Sequence, residues 1–315
     1  MKILITGGAG YLGSIIAPYL LKRNYGVIVL DNFLYDQTSL LDVCYHPKLT
    51  IVNGDVRDLG LMRSLMKDAD IILPFACLTG MSICDRFPAD AEAIIIDAIL
   101  MMLSLRSKDQ RIIYPTTNSG YGVGEEGIFC TEETPLNPIS LYGKLKVEAE
   151  QMILEAGNSV TLRLATVFGV SSRLRLDLLV NNFVYTAWHE KHIKLFEPHF
   201  KRNYIHIRDV ARAILHTLNS FDQMHGHAFN LGLSDANLSK KELCEVIRKH
   251  IPDFIFEEDT SGKDPDQRNY MVSNAKIERT GFAPLFSLDD GIVELMKAFQ
   301  IITVTPENRK QFFNA

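Results

Sequence analysis

Along the first half of the chain, apolar and polar positions switch between two periods. Lys2–Thr6 is a short apolar run that stops at glycines, 11–22 repeats its apolar positions at helical spacing, and Gly26–Asp31 is apolar again. That succession predicts a strand-helix-strand unit. Similar runs recur at Leu49–Asn53, 71–75, 111–115 and Ser159–Leu164, with helical patterns between them. Each run is apolar along its length, as expected of parallel strands covered on both faces.

The stretch 88–108 is apolar on more sides than a surface helix needs, so one face is expected to meet either the fold's own core or a second subunit. After Phe168 the alternation weakens, resuming as a helix at 210–219 and a strand at 228–233. The pattern therefore predicts a discontinuous sheet domain, 1–168 with 205–233. Residues 169–204 and 234–315 would form a smaller part, leaving a cleft for a ligand.

Composition narrows the classes. At 315 residues, 47% hydrophobic and net charge -5, the chain can bury a large core but offers no broad basic field, so nucleic acid is not expected as a partner. The most apolar stretch carries Glu92 and Asp97 and ends at Arg106, and the initial apolar run breaks at Gly7-Gly8. Neither a membrane span nor a signal peptide is read, and a cytoplasmic location is expected. Five scattered cysteines without a Cys-x-x-Cys pair are read as free thiols, Cys130 as an inert loop residue. His189-Glu190-Lys191-His192 and His225-Gly226-His227 lack a zinc-type ligand spacing, so no metal is expected.

The chemistry begins at Thr6-Gly7-Gly8-Ala9-Gly10-Tyr11-Leu12-Gly13, set between a strand and a helix. Gly7 can make the tight turn, Gly10 leaves room for a pyrophosphate, and Gly13 lets the helix approach the strand. Asp31 closes the second strand, where a carboxylate can bind the adenosine ribose and repel a 2′-phosphate, favouring NAD over NADP; the bland alternative is a cap for the next segment. Asp55, in Gly54-Asp55-Val56-Arg57-Asp58, is placed to reach the adenine amino group or to serve as a turn residue. Tyr142 and Lys146 lie one helical turn apart, so the lysine can lower the phenol pKa and the phenol can act as general acid/base.

These segments, with Phe75-Ala76-Cys77-Leu78, 114–122 and Asn203-Tyr204-Ile205-His206-Ile207-Arg208-Asp209-Val210, resemble the extended short-chain dehydrogenase/reductase family of nucleotide-sugar epimerases, dehydratases and reductases. The resemblance spans nearly the whole chain. It implies an α/β fold, a doubly wound parallel-sheet Rossmann domain with a smaller C-terminal α/β substrate domain. A homodimer joined through the helices holding 89–108 and 142–155 is implied as well. Thr117, Tyr142 and Lys146 become the implied catalytic set, with Thr117 bonding the reacting oxygen. NAD is implied as cofactor, held by Gly7, Gly10, Tyr11, Leu12, Asp31, Asn32, Asp55, Val56, Phe75, Ala76, Cys77, Tyr142 and Lys146. A nucleotide sugar is implied against Thr79, Asn118, Ser119, Arg175, Asn182, Arg202 and Arg268, the arginines meeting its diphosphate. Arg173 and Arg175 also admit a solvated surface reading, and His206 reads as structural.

Two positions bear on the reaction. The 4,6-dehydratases of the family carry Asp-Glu where this chain has Asn118-Ser119, and its 3,5-epimerising members carry cysteine in place of Ser119, so both chemistries are disfavoured. A 4-dehydrogenase, a 4-epimerase and a 4-keto reductase remain. The runs 114–122, 163–169 and 173–181 look like the GDP-heptose 4-dehydrogenases of bacterial capsule heptose modification, the leading reading. Ile95 stands where the family often has asparagine, so the local hydrogen bonding is expected to differ. A dinucleotide sensor without catalysis, and an enzyme of small alcohols or steroids, are the rivals.

Overall fold

The computed structural model describes residues 1–263 and 266–314. Strands β1 (Lys2–Thr6), β2 (Gly26–Asp31), β3 (Leu49–Asn53), β4 (Ile71–Pro74), β5 (Arg111–Thr117), β6 (Ser159–Leu164) and β7 (Ala228–Leu231) form one sheet in the order β7-β6-β5-β4-β1-β2-β3. All six neighbouring pairs are parallel. The order runs outward from β1 in both directions, so crossover connections on its two sides diverge and open a crevice between β1 and β4 at their C-terminal ends. This is the doubly wound Rossmann architecture that the alternating pattern and the resemblance predict.

Both faces of the central strands are covered. One side is packed by Ile16, Leu20, Ala211 and Ile214, the other by Met62, Ile99, Met102, Leu145 and Ala149. β3 differs from the expectation of continuous burial, because it is an edge strand whose Thr50 and Ile51 are exposed.

The apolar stretch 88–108 consists of helix Pro88–Glu92, a π-helical turn Ala93–Asp97 and helix Ala98–Leu105. Ile95, Ile96, Ile99 and Met102 are buried against the chain's own sheet, while Leu100 is exposed. Ile95 lies within the π-helical turn, a form common near functional sites.

Beyond β6 the chain builds a second layer. Lys201–His206 pairs in parallel with Thr166–Phe168 and antiparallel with Asn237–Ser239. Phe129–Cys130 pairs with Met271–Val272, making Cys130 a buried strand residue rather than the loop residue expected, and burial raises its thiol pKa.

His206 ties these layers together. Its Nδ1 accepts the Arg208 N–H that opens helix Ile207–Asn219, so Nε2–H faces Glu294 on helix Leu288–Phe299 at 2.8 Å. Burial pushes the Glu294 carboxyl up, but His206, the Val170 N–H and Arg208 outweigh it and hold its pKa down to about 2. That contribution is fully present above the ordinary value of 4.5 and is lost as pH falls toward 2. Glu294→Gln should therefore cost about 1–3 kcal/mol in urea unfolding at pH 7. The gap from wild type should narrow between pH 4.5 and 2.

Candidate active site

A cavity of about 550 Å³ opens at the crevice between β1 and β4, bounded by the ends of β1, β2, β4 and β5 and by segments 164–182, 202 and 266–268. Its floor is the glycine loop. Gly7 has φ +67°, and a Cβ there would lie 2.7 Å from the Ala76 nitrogen. A Cβ on Gly13 would fall 2.3 Å from the Gly8 oxygen, so helix Gly13–Leu21 could not begin where it does with any side chain at that position. Gly10, Tyr11 and Leu12 line the cavity at this helix entrance. The Tyr11 hydroxyl is turned away to donate to the Gly169 oxygen at 2.7 Å.

Asp31 holds the loop in place. Its carboxylate accepts hydrogen bonds from the Ala9 N–H (2.9 Å), the Phe33 N–H (2.8 Å) and Gln37 Nε2 (3.0 Å), while burial raises its pKa against those bonds. The side chain thus caps the following segment, the bland alternative drawn from the sequence, and it also lines the cavity. Asn32, Asp55, Val56, Phe75, Ala76, Cys77 and Thr79 continue the wall. Asp55 is held by Arg57, with Oδ2 at 2.8 Å from Nη2. Burial raises the Cys77 thiol pKa.

At the far end stand Thr117, Ser119, Tyr142 and Lys146. Thr117 ends β5 and its Oγ1 accepts the Ser119 N–H (3.1 Å) while lying 2.9 Å from Ser119 Oγ. Tyr142 sits in the first turn of helix Leu141–Glu155, started by Ser140, whose hydroxyl accepts the Gly143 N–H. Burial raises the Tyr142 phenol pKa strongly; Cys77 and Cys84 add to this, and Arg175 and Arg268 oppose it. Both guanidiniums reach the phenol from outside its helix. Lys146 donates to the Pro115 oxygen at 2.6 Å and lies 3.8 Å from the Tyr114 ring centre, and burial lowers its pKa to about 8.

Asn118 departs from the expected substrate contact. It is 1% exposed, does not line the cavity, and neither its amide oxygen nor its nitrogen has a partner. The short helix Asn118–Tyr121 turns Ser119 to the cavity and Asn118 inward.

The expected arginines converge. Parallel pairing of 129–130 with 271–272, extended by Gly124 N–H to the Asn269 oxygen at 2.8 Å, carries Arg268 to Ser119. Arg202 comes from Lys201–His206, and both arginines meet Asp266, Arg202 at 3.3 Å. That pairing outweighs burial and holds the Asp266 carboxyl well below the usual range. Arg175 pairs with Asp177 at 2.6 Å and donates to the Thr79 oxygen. Arg173 and Arg175 are buried on the cavity wall, which removes their surface reading, and Asn182 lines the wall beside them.

Sequence reading passed over Tyr35, Asp177, Asn181, Asp266 and Asn314. Asn181 joins the Gly169 N–H (3.0 Å) to the Arg175 oxygen (2.8 Å), shaping the loop between them. A signal for two of these was present: Arg175-x-Asp177 and Asp266-x-Arg268 repeat the acid-arginine spacing of Asp55-x-Arg57, and all three fold into local ion pairs.

Residues 3–232 match the NAD dependent epimerase/dehydratase family. The chain belongs to that family. It is 29% identical over 308 residues to the low-salt glycan biosynthesis protein Agl12 of Haloferax volcanii, covering 93% of this chain and 96% of that protein. It is 28% identical over 307 residues to a putative UDP-glucose 4-epimerase of Methanocaldococcus jannaschii, covering 92% and 95%. In fold it is similar to the Thermotoga maritima UDP-glucose 4-epimerase, with TM-score 0.83 at 22% identity over 95% of this chain and 99% of that one. A dTDP-glucose 4,6-dehydratase of Bacillus anthracis, in complex with NAD, gives TM-score 0.81 at 22% identity over 99% and 98%.

This epimerase/dehydratase family member takes NAD as its cofactor, and the cradle fits it: backbone space at Gly10, a helix entrance for a diphosphate, and a carboxylate at the end of β2. No helix among the described residues is long and apolar enough to cross a membrane.

Because the Lys146 pKa is lowered, the unfolded chain holds a proton that the folded chain has lost between about pH 8 and 10.5, so this group favours folding as pH rises through that window. Denaturation of wild type and Lys146→Met at both ends of the window should show the wild type gaining on the variant. An unchanged difference would mean that Lys146 stays charged in the fold.

Proposed function

We propose that this family member oxidises or reduces C4 of a nucleotide-activated sugar, with Tyr142 as the proton-transfer residue. The observation carrying this reading is the placement of Tyr142, Thr117 and Ser119 in one cavity with a dinucleotide cradle and with Arg175, Arg202 and Arg268. The nicotinamide, held by the glycine-loop cradle, would supply the hydride acceptor for oxidation at C4 and, as NADH, the hydride donor for reduction. As the phenolate, Tyr142 takes the C4 hydroxyl proton and becomes the phenol, and in the reverse direction the phenol gives that proton to a C4 ketone, while the Thr117 hydroxyl holds the same sugar oxygen. Because burial raises the phenol pKa, the proton-accepting form requires cations beside it, such as Arg175 and Arg268. Arg202 and Arg268 meet the sugar-nucleotide diphosphate by exchanging part of their bonding to Asp266 for phosphate oxygens. Arg175 and Asn182 flank the sugar. Residues 1–168 with 205–233 form the cofactor-binding part in this reading, and 169–204 with 234–315 the sugar-nucleotide part.

Chemistry that stops at hydride transfer is favoured by the state of the carboxylates. Among the described residues, those lining the cavity are Asp31, Asp55, Asp177 and Asp266, and each is engaged by backbone N–H groups or a guanidinium. While so engaged, none is free to be the acid or base that water elimination or C3/C5 inversion needs.

GDP-D-glycero-D-manno-heptose, oxidised to its 4-keto form for capsule polysaccharide, is the first donor to test on the strength of 114–122, 163–169 and 173–181. The relatives named UDP-glucose 4-epimerase favour C4 inversion of a UDP sugar as the second reading. A homodimer built on the face bearing the exposed Leu100 completes the proposal.

NMR and mass spectrometry of products from GDP-heptose and UDP-glucose should show a 4-keto or C4-inverted sugar. Tyr142→Phe should slow single-turnover hydride transfer about 10²- to 10⁴-fold with NAD affinity unchanged. A variant of near-normal rate would remove Tyr142 from the mechanism.

A further inference from the structure

Four arginines line the cavity, and they differ in one respect. Arg175 is paired with Asp177, while Arg202 and Arg268 share Asp266. Arg173 has no carboxylate within ion-pair distance among the described residues, although it is only 2% exposed. Its Nη1 donates to the Leu174 oxygen (3.0 Å) and its Nη2 to Asn314 Oδ1 (2.8 Å), and its guanidinium lies 4.6 Å from the Tyr35 ring centre. These neutral contacts orient the charge without neutralising it. Burial and the like charge of Arg175 lower its pKa to about 10.

A buried guanidinium without an anion is costly, and such a group on a cavity wall calls for a partner that the cavity's occupant brings. A second orphan lies beside it. The Tyr35 hydroxyl is buried and unpartnered, on a residue that also lines the cavity. Tyr35 follows Asp31 by four positions in the loop leaving β2, and Asp31 is among the charges that act on Arg173, so the pair faces the part of the cradle closed by that carboxylate.

We propose that Arg173, assisted by the Tyr35 hydroxyl, is a phosphate anchor for the dinucleotide, gripping its diphosphate from the side opposite the glycine loop. The anchor is supplied from outside the nucleotide-binding sheet. The segment behind it is fixed by Leu176 N–H to the Phe312 oxygen (2.8 Å) and by an ion pair between Lys310 and Asp36. The dinucleotide is therefore enclosed by three separate stretches of chain, the loop after β2, the loop carrying Arg173, and residues 310–314. Slow exchange of bound NAD follows from that enclosure.

The inference rests on the NAD-binding reading, and the test separates the two. Calorimetry on the full chain would compare NAD, NADP, ADP and adenosine as ligands of wild type, Arg173→Met and Arg173→Lys. Arg173→Met is expected to weaken NAD and ADP about 10- to 100-fold and leave adenosine unchanged, the scale of one charge-assisted contact. Arg173→Lys should recover part of the loss, and stopped-flow release of NADH should quicken in step with it. Equal weakening of ADP and adenosine, no weakening, or a loss confined to NADP would each overturn the anchor. If Arg173→Met does not fold, Tyr35→Phe carries the test: selective weakening of ADP supports the anchor, and unchanged ADP affinity overturns it. Failure of wild type to bind NAD would instead sink the reading beneath it.

Discussion

The turn that leaves β1 has one backbone path, and the site is organised around it. A side chain at Gly7 would collide with the backbone after β4, and one at Gly13 with the loop itself. Close approach brings the helix entrance and the ends of β1 and β4 to a single crevice. Asp31 then holds the turn through Ala9, so the carboxylate available to a ribose also keeps the loop in place. Loop shape and the carboxylate that faces the cavity are in this way coupled in one side chain.

The second constraint is charge. Four guanidiniums line one cavity, and their mutual repulsion would be severe without compensation. Asp177 and Asp266 supply it for three of them, and each lies two residues from an arginine it pairs with. For Arg175 and Arg268 this pairing is local, while Arg202 reaches Asp266 across 64 residues of chain. Pairing also leaves the guanidiniums able to exchange carboxylate for phosphate oxygens when an anionic ligand enters. While they are paired in this way, the two carboxylates are not free to act as acids or bases.

Acid/base tuning at the Tyr142 phenol also comes from outside its own helix. Burial drives its pKa up, and the opposing charges belong to Arg175 and Arg268, which reach the site from segments beyond β6. Lys146, one turn away on the same helix, spends its ammonium on the Pro115 carbonyl and the Tyr114 ring. Helical spacing fixes which residues share a face, but the direction of a long side chain follows from what it is packed against.

What the sequence alone determined was whatever depends on local period and local sterics. The apolar runs specify the parallel strands, the glycines specify the loop, and the order of motifs places Tyr142, Lys146 and Thr117 with the cradle. Burial of Arg173 and Arg175, the inward turn of Asn118, the edge exposure of β3 and the reach of Asn314 into the cavity were decided only by tertiary packing. Each depends on contacts between segments far apart in the chain, Arg173 with Asn314 being separated by 141 residues. A periodic pattern states which face of an element is apolar. It carries no information about which distant segment will cover that face, and that covering sets the burial, partner and charge of every side chain beneath it.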